Sequence, residues 1–180
     1  MMKVLTWLMH GTDKDIKHQQ WKHPLVCGII ANIIVNGVVY IVCEHYLKVW
    51  GLPRNLDSWT RSYMAPFLIA YILILIIGRC IVMGNWALYD LLWTCNVIII
   101  STIMGLLVNN QLIVCASYLT ILVDQMQWFV DVISYILTRK FAIGVIEYLK
   151  RKETHMFKKL TCSHHLWFVP LCFYMTIVLI

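Results

Sequence analysis

Residues 88–137 read LYDLLWTCNVIIISTIMGLLVNNQLIVCASYLTILVDQMQWFVDVISYIL. Two apolar runs, 88–108 and 112–137, are separated only by Asn109, Asn110 and Gln111. Each run is long enough to cross a bilayer, for which about 20 mainly apolar residues suffice. Three polar residues between them leave room for nothing but a tight turn. The stretch therefore predicts an antiparallel transmembrane hairpin. On its amino-terminal side lie two more runs of spanning length, 64–83 and 25–43, the latter introduced by Trp21, Lys22 and Pro24. After it comes a fifth apolar stretch, 166–180, with Pro170 inside it. At 1.5 Å per residue this last run covers about 22 Å, short of a core about 30 Å thick. The expected fold is all-α: a polytopic transmembrane helical bundle of four to five spans. It forms a single membrane domain over 1–180, with a polar tail (1–24) and a basic loop (139–165).

Composition agrees with that reading. Of 180 residues, 61% are hydrophobic and 13% charged, and the mean hydropathy is +0.73. Soluble domains run near half apolar and about a quarter charged, so a water-soluble enzyme is excluded, as are a coiled coil and a disordered tail. The net charge of +6 is not a nucleic-acid footprint, because the basic residues flank apolar runs, where they set membrane orientation. The seven cysteines include no CxxC pair, and six of them (Cys27, Cys43, Cys80, Cys95, Cys115 and Cys172) sit in or beside apolar runs. There a thiol behaves as a small hydrophobe, so no disulfide framework is expected. The first twenty residues lack an apolar core of signal-peptide length.

Orientation follows from counting Lys and Arg by connection. The tail has four, the connection at Arg79 one and the 139–165 loop seven, twelve in all; the first loop has Lys48, Arg54 and Arg61, and the Asn-Asn-Gln turn has none. The amino terminus and the basic loop are thus expected on the cytoplasmic side or its equivalent. Within the loop, Phe141, Val145, Tyr148 and Leu149 recur at helical spacing. They fit either an amphipathic helix lying on the inner leaflet, with its Lys and Arg toward anionic lipid, or a plain loop carrying stop-transfer charge.

Polar residues inside a bilayer are expensive, so they mark partners or cavities. In 112–137 and just beyond, Ser117, Thr120, Asp124, Gln127, Asp131, Ser134 and Thr138 recur in steps of three and four and share a helix face. The preceding run adds Asp90, Thr94, Asn96, Ser101 and Gly105, and the first span adds Gly28, Asn32 and Asn36. Gly28, Asn32, Asn36, Ser101 and Gly105 fit helix packing, where small residues permit close approach and Asn bonds across the contact. The remaining polar groups fit a site. Topology brings Arg79, Asp90, Asp131, His164 and His165 to one cytoplasmic mouth, with Asn96, Gln127 and Asp124 deeper. Asp131 is expected within reach of Arg79, Asp90 or the His pair. Asp124 lies about 18 Å beyond Leu112 along its helix, so hydrogen bonds to Asn, Thr or water from the first or third span are expected.

Familiar site chemistries find little support. Cys162-Ser163-His164-His165 with His155 matches no common zinc spacing. Histidines placed for haem b, a di-iron set, a Gly-x-Ser-x-Gly elbow and a Walker loop are all missing from the sequence. Tyr89-Asp90 is half of an intramembrane aspartyl protease signature whose Gly-x-Gly-Asp partner does not occur. No metal or cofactor is expected.

The order Asp90 to Asn96, Gln125-x-x-Trp128-x-x-Asp131, Gly144-x-x-x-Tyr148, Ser163-His164-His165 and Pro170 resembles an uncharacterised family of mostly bacterial polytopic membrane proteins. The resemblance covers about half the chain, names no chemistry, and implies further apolar segments in that family's chains. Two function classes follow. One is a multi-pass membrane protein with a polar intramembrane site open to the cytoplasmic side, serving small-solute or proton-linked transport or intramembrane chemistry. The other is an accessory or assembly subunit whose polar stripes bind other membrane proteins or a second copy. The lipid bilayer is a partner in both.

Overall fold

The computed structural model describes residues 22–50, 55–84, 91–152 and 154–178. Most of the expected polar tail, and Asp90, lie outside the described residues. The described chain is helical, without strands. Its elements are α1 (Lys22–Trp50), α2 (Ser58–Met83), α3 (Thr94–Leu107), α4 (Gln111–Thr138), α5 (Met156–Thr161) and α6 (His164–Phe173). A 3-10 turn, Glu147–Leu149, precedes α5, and a π turn, Tyr174–Val178, continues α6.

The Asn-Asn-Gln turn does what its composition predicts. Asn109 takes a left-handed φ of 54°, which Asn tolerates better than most residues. Its side-chain oxygen accepts the Leu56 amide at 3.0 Å, fastening the first loop to the hairpin. Asn110 caps α4 by accepting the Leu112 amide at 3.0 Å. Gly105 lets the two arms close, since a Cβ there would lie 2.9 Å from Val114 Cγ2. α4 is the central element, packed against α1, α3 and α6, while α2 packs on α3 and α5. The core runs through the middle of this arrangement, with Leu68, Leu75, Ile98, Ile99, Val114, Cys172 and Met175 wholly buried.

The outward faces of the long helices are apolar too. Ile33 is 66% exposed, Ile81 79% and Leu137 76%. Burying such surface is worth about 25 cal/mol per Å², so a contiguous apolar exterior belongs in lipid. Three helices are long and apolar enough to cross a membrane: Ile29–Tyr46, Ser58–Val82 and Gln111–Thr138. The chain is a membrane protein by this measure. α3, with 14 residues, is about 21 Å long and begins at Thr94 rather than near 88. Residues 91–93 form a turn, and the amides of Asn96 and Val97 both return to the Trp93 carbonyl, at 2.9 and 3.1 Å. α6 runs through Pro170 without breaking and becomes π-helical from Tyr174.

Of the two readings of the basic segment, the structure shows the loop. Residues 139–152, 154 and 155 are turns and bends with a single 3-10 turn. Arg139 ends α4 at φ 60°, and the next segment folds back beneath the bundle. Asp131 is the reason. Its Oδ1 accepts the amides of Ile143 (2.7 Å) and Gly144 (3.1 Å). Its Oδ2 accepts those of Gly144 (2.9 Å) and Ile146 (3.2 Å). A carboxylate gathering three amides competes with helix formation, and Gly144 takes the φ of +95° that the bend requires. Val145 and Tyr148 are consequently buried, against Trp128 and Trp93 respectively, instead of facing lipid.

Candidate functional site

Four elements meet beneath the hairpin. Cys95 is the second residue of α3, about 18 Å from Leu107 at the helix's other end. Gln125 lies about 21 Å into α4 from Gln111. Both distances start at the hairpin turn, so the two residues occupy one level of the bundle. α6 begins there too, with His164 and His165 as its first two residues. α2 contributes Tyr71 and Arg79, and the folded-back loop closes the remaining side with Tyr148, Thr161 and Cys162.

Cys95, His164 and His165 bring a sulfur and two imidazoles together, with one atom of each within 4.8 Å of the others. All three residues are buried, at 2%, 1% and 3% exposure. Hydrogen bonds at Nδ1 of both rings leave Nε2 as the nitrogen free to act as a ligand. His164 Nδ1 is 2.6 Å from the Thr161 carbonyl, a distance that requires an N–H donor, because a lone pair there would repel the oxygen. The same carbonyl accepts the Tyr71 hydroxyl at 2.8 Å, which lies 3.0 Å from Nδ1. On the other ring, Gln125 donates its Nε2 to the His165 carbonyl (2.7 Å), which turns its Oε1 toward His165 Nδ1 (2.8 Å). Oxygen there again requires Nδ1–H. Both neutral rings therefore carry their lone pair on Nε2.

The rings are also held by stacking. The two imidazoles lie 4.4 Å apart at 29°, Trp128 stacks on His165 at 5.3 Å and 16°, and Tyr71 meets His164 edge-on at 6.0 Å. Arg79, 2% exposed, donates Nη2 to Thr161 Oγ1 at 3.0 Å. Thr161 in turn donates to the Lys158 carbonyl at 3.1 Å. The Arg79 cation thus supports the residue whose carbonyl orients His164. Tyr148 shares a hydrogen bond with Cys162 Sγ at 2.9 Å, and burial pushes its phenol well above the ordinary value, so it keeps its proton. Lys158 lies over the Trp93 ring at 5.0 Å, a cation–π contact that covers the site from the loop side.

The expected site residues divide. Arg79, His164 and His165 are brought together, and Asn96 is fully buried beside Cys95. Asp124 is near enough to interact electrostatically with Cys95, but it has no hydrogen bond to a described residue. Gln127 is half-buried and its side chain has no hydrogen bond to a described residue; the reaching glutamine is Gln125, two residues earlier. Asp131 is wholly buried on the loop amides and outside the hydrogen-bond network of the His pair. Asp90 lies outside the described residues. Cys95, Gln125, Tyr71 and Thr161 were missed. The available signal was the i, i+3 pair Gln125 and Trp128 on one face of α4.

The packing residues separate as well. Asn32 donates to the Leu92 carbonyl at 3.3 Å, bridging α1 to the start of α3. Asn36 turns back to the Asn32 carbonyl at 2.8 Å. Both line, with Ser101, an apolar lateral groove of about 260 Å³ between α1 and α3. No family model, no curated protein and no solved structure matches this chain.

Proposed function

We propose that the chain is a multi-pass integral membrane protein whose function resides in a closed chemical centre formed by Cys95, His164 and His165. The amino terminus and the 139–165 loop lie on the cytoplasmic side. The carrying observation is that three reactive groups converge while every opposite hydrogen-bonding atom is held by another part of the bundle. A conduction path needs continuity with water, and these side chains are at most 3% exposed. Helix glue needs satisfied polar pairs, whereas His164 Nε2 is buried without a hydrogen-bond partner. Geometry at this level, a nucleophilic thiol beside an oriented imidazole, is that of intramembrane group chemistry.

A functional centre is built at the expense of stability, and that supplies a test which needs no known substrate. Removing a buried unsatisfied group recovers about 1–3 kcal/mol, and 1 kcal/mol moves the midpoint of a chain this size by roughly 2–4 °C. In detergent, with a chelator present to exclude stray ions, His164→Phe is expected to hold or raise the thermal midpoint. The Thr161 carbonyl keeps the Tyr71 hydroxyl in that variant. A fall of the size caused by truncating a core residue would assign His164 to packing and favour the accessory-subunit reading.

A further inference from the structure

We infer that Cys95, His164 and His165 form a binding site for a zinc ion, in which the Cys95 thiolate and the Nε2 atoms of both histidines are the ligands. The inference rests on the centre proposed above and names its cofactor. It starts from counting protons. Two imidazoles present two lone pairs to one thiol, and a thiol has one proton to donate. In a dry site one lone pair must go unmet, as His164 Nε2 does. One imidazole would suffice to activate a nucleophilic thiol; the second has no role there. A cation satisfies all three groups at once.

The surroundings fit a metal better than a bare dyad. Metal-bound histidines characteristically give their other N–H to a carbonyl or carboxylate, which fixes the tautomer. Here both do so, His164 to the Thr161 carbonyl and His165 to the Gln125 side-chain oxygen. One sulfur and two imidazoles suit zinc, and three protein ligands leave a fourth position open for water or a substrate oxygen. Zinc binding displaces the Cys95 proton, which leaves to buffer as the S–Zn bond forms.

The test uses the full chain, purified in detergent, stripped with a chelator and then equilibrated with zinc or with cobalt(II) as an optical probe. One zinc per chain is expected, together with a thiolate-to-cobalt charge-transfer band. Cys95→Ser should abolish the band and weaken zinc binding by about 100-fold or more, and Gln125→Ala, which frees the His165 ring, by about 10–100-fold. Cys172→Ala, a buried cysteine outside the centre, should change neither. Unchanged thermal unfolding of metal-free Cys95→Ser confirms that it folds. No bound zinc, or a cobalt band that survives in Cys95→Ser, overturns the inference. If zinc fails while metal-free His164→Phe is as stable as the parent, the centre stands without a metal; if both fail, the centre itself is wrong.

Discussion

Asp131 shows how one side chain decides whether a segment is helix or loop. It was legible as an expensive intramembrane acid, and its burial agrees. Its partners were not legible, because backbone amides leave no mark in a sequence. Asp131→Asn replaces one accepting oxygen with an NH₂ group that, in either orientation, faces the Gly144 amide and one of its neighbours, Ile143 or Ile146. Hydrogen bonds to charged groups are worth about 1.5–3 kcal/mol, so a loss of about 2–3 kcal/mol is expected. Hydrogen exchange at Ile143, Gly144 and Ile146 should accelerate in that variant. Asp57 offers a gentler case. Its side chain caps α2 through the Thr60 amide at 2.9 Å, and those hydrogen bonds hold its carboxyl below the usual range. The cap is thus fully present above the unfolded-state value and lost as pH falls through the lower, folded one. Asp57→Asn, an equally good cap, should remove that acid dependence, read from exchange at Thr60. Arg79, His164 and His165 stood out in the sequence because polar groups in a bilayer are costly. Cys95 did not, since a cysteine among Ile and Val reads as one more hydrophobe.

At the scale of elements, the polar turn and the packing of the two arms on each other were legible, whereas α3, at 14 residues, falls short of the spanning run expected. Gly105→Ala should test the close approach of the arms. The new methyl meets Val114 at 2.9 Å and Ile113 at 3.1 Å, both β-branched and stiff. Overpacking costs about 1–3 kcal/mol, against about 1 kcal/mol gained in helix propensity. Gly37, by contrast, has nothing within 4 Å of an added Cβ. Gly37→Ala should raise the thermal midpoint and Gly105→Ala lower it. Less legible was the start of α3, six residues later than the apolar run suggests. Hydropathy sees composition, and the turn at 91–93 is as apolar as the helix. The return of the basic loop beneath the bundle was hidden for a related reason. Val145 and Tyr148 have helical spacing, but spacing alone cannot say whether their common neighbour is lipid or protein.

For the molecule as a whole, the twelve-to-three division of basic residues makes a topological claim. Single cysteines introduced at Ser58 and Thr154 should label from opposite faces of the membrane; labelling from one face would overturn the orientation read from the basic residues. Membrane class was plain from composition, because a chain this apolar has no other stable solvent. The centre was half legible. Topology brought Arg79 and the His pair to one level, yet which residues of α3 and α4 meet them depends on helix rotation. An error of one or two residues exchanges Gln127 for Gln125. The meeting of Cys95 with the histidines depends on that rotation, and a cross-link measures it most directly. In a chain whose other cysteines are replaced by alanine, His164→Cys should join α3 to α6 through Cys95 under mild oxidation, identified by mass spectrometry of the linked peptides. Gln127→Cys in the same background should not link to Cys95. Efficient linking at 127 and none at 164 would contradict the convergence of Cys95 with the histidines.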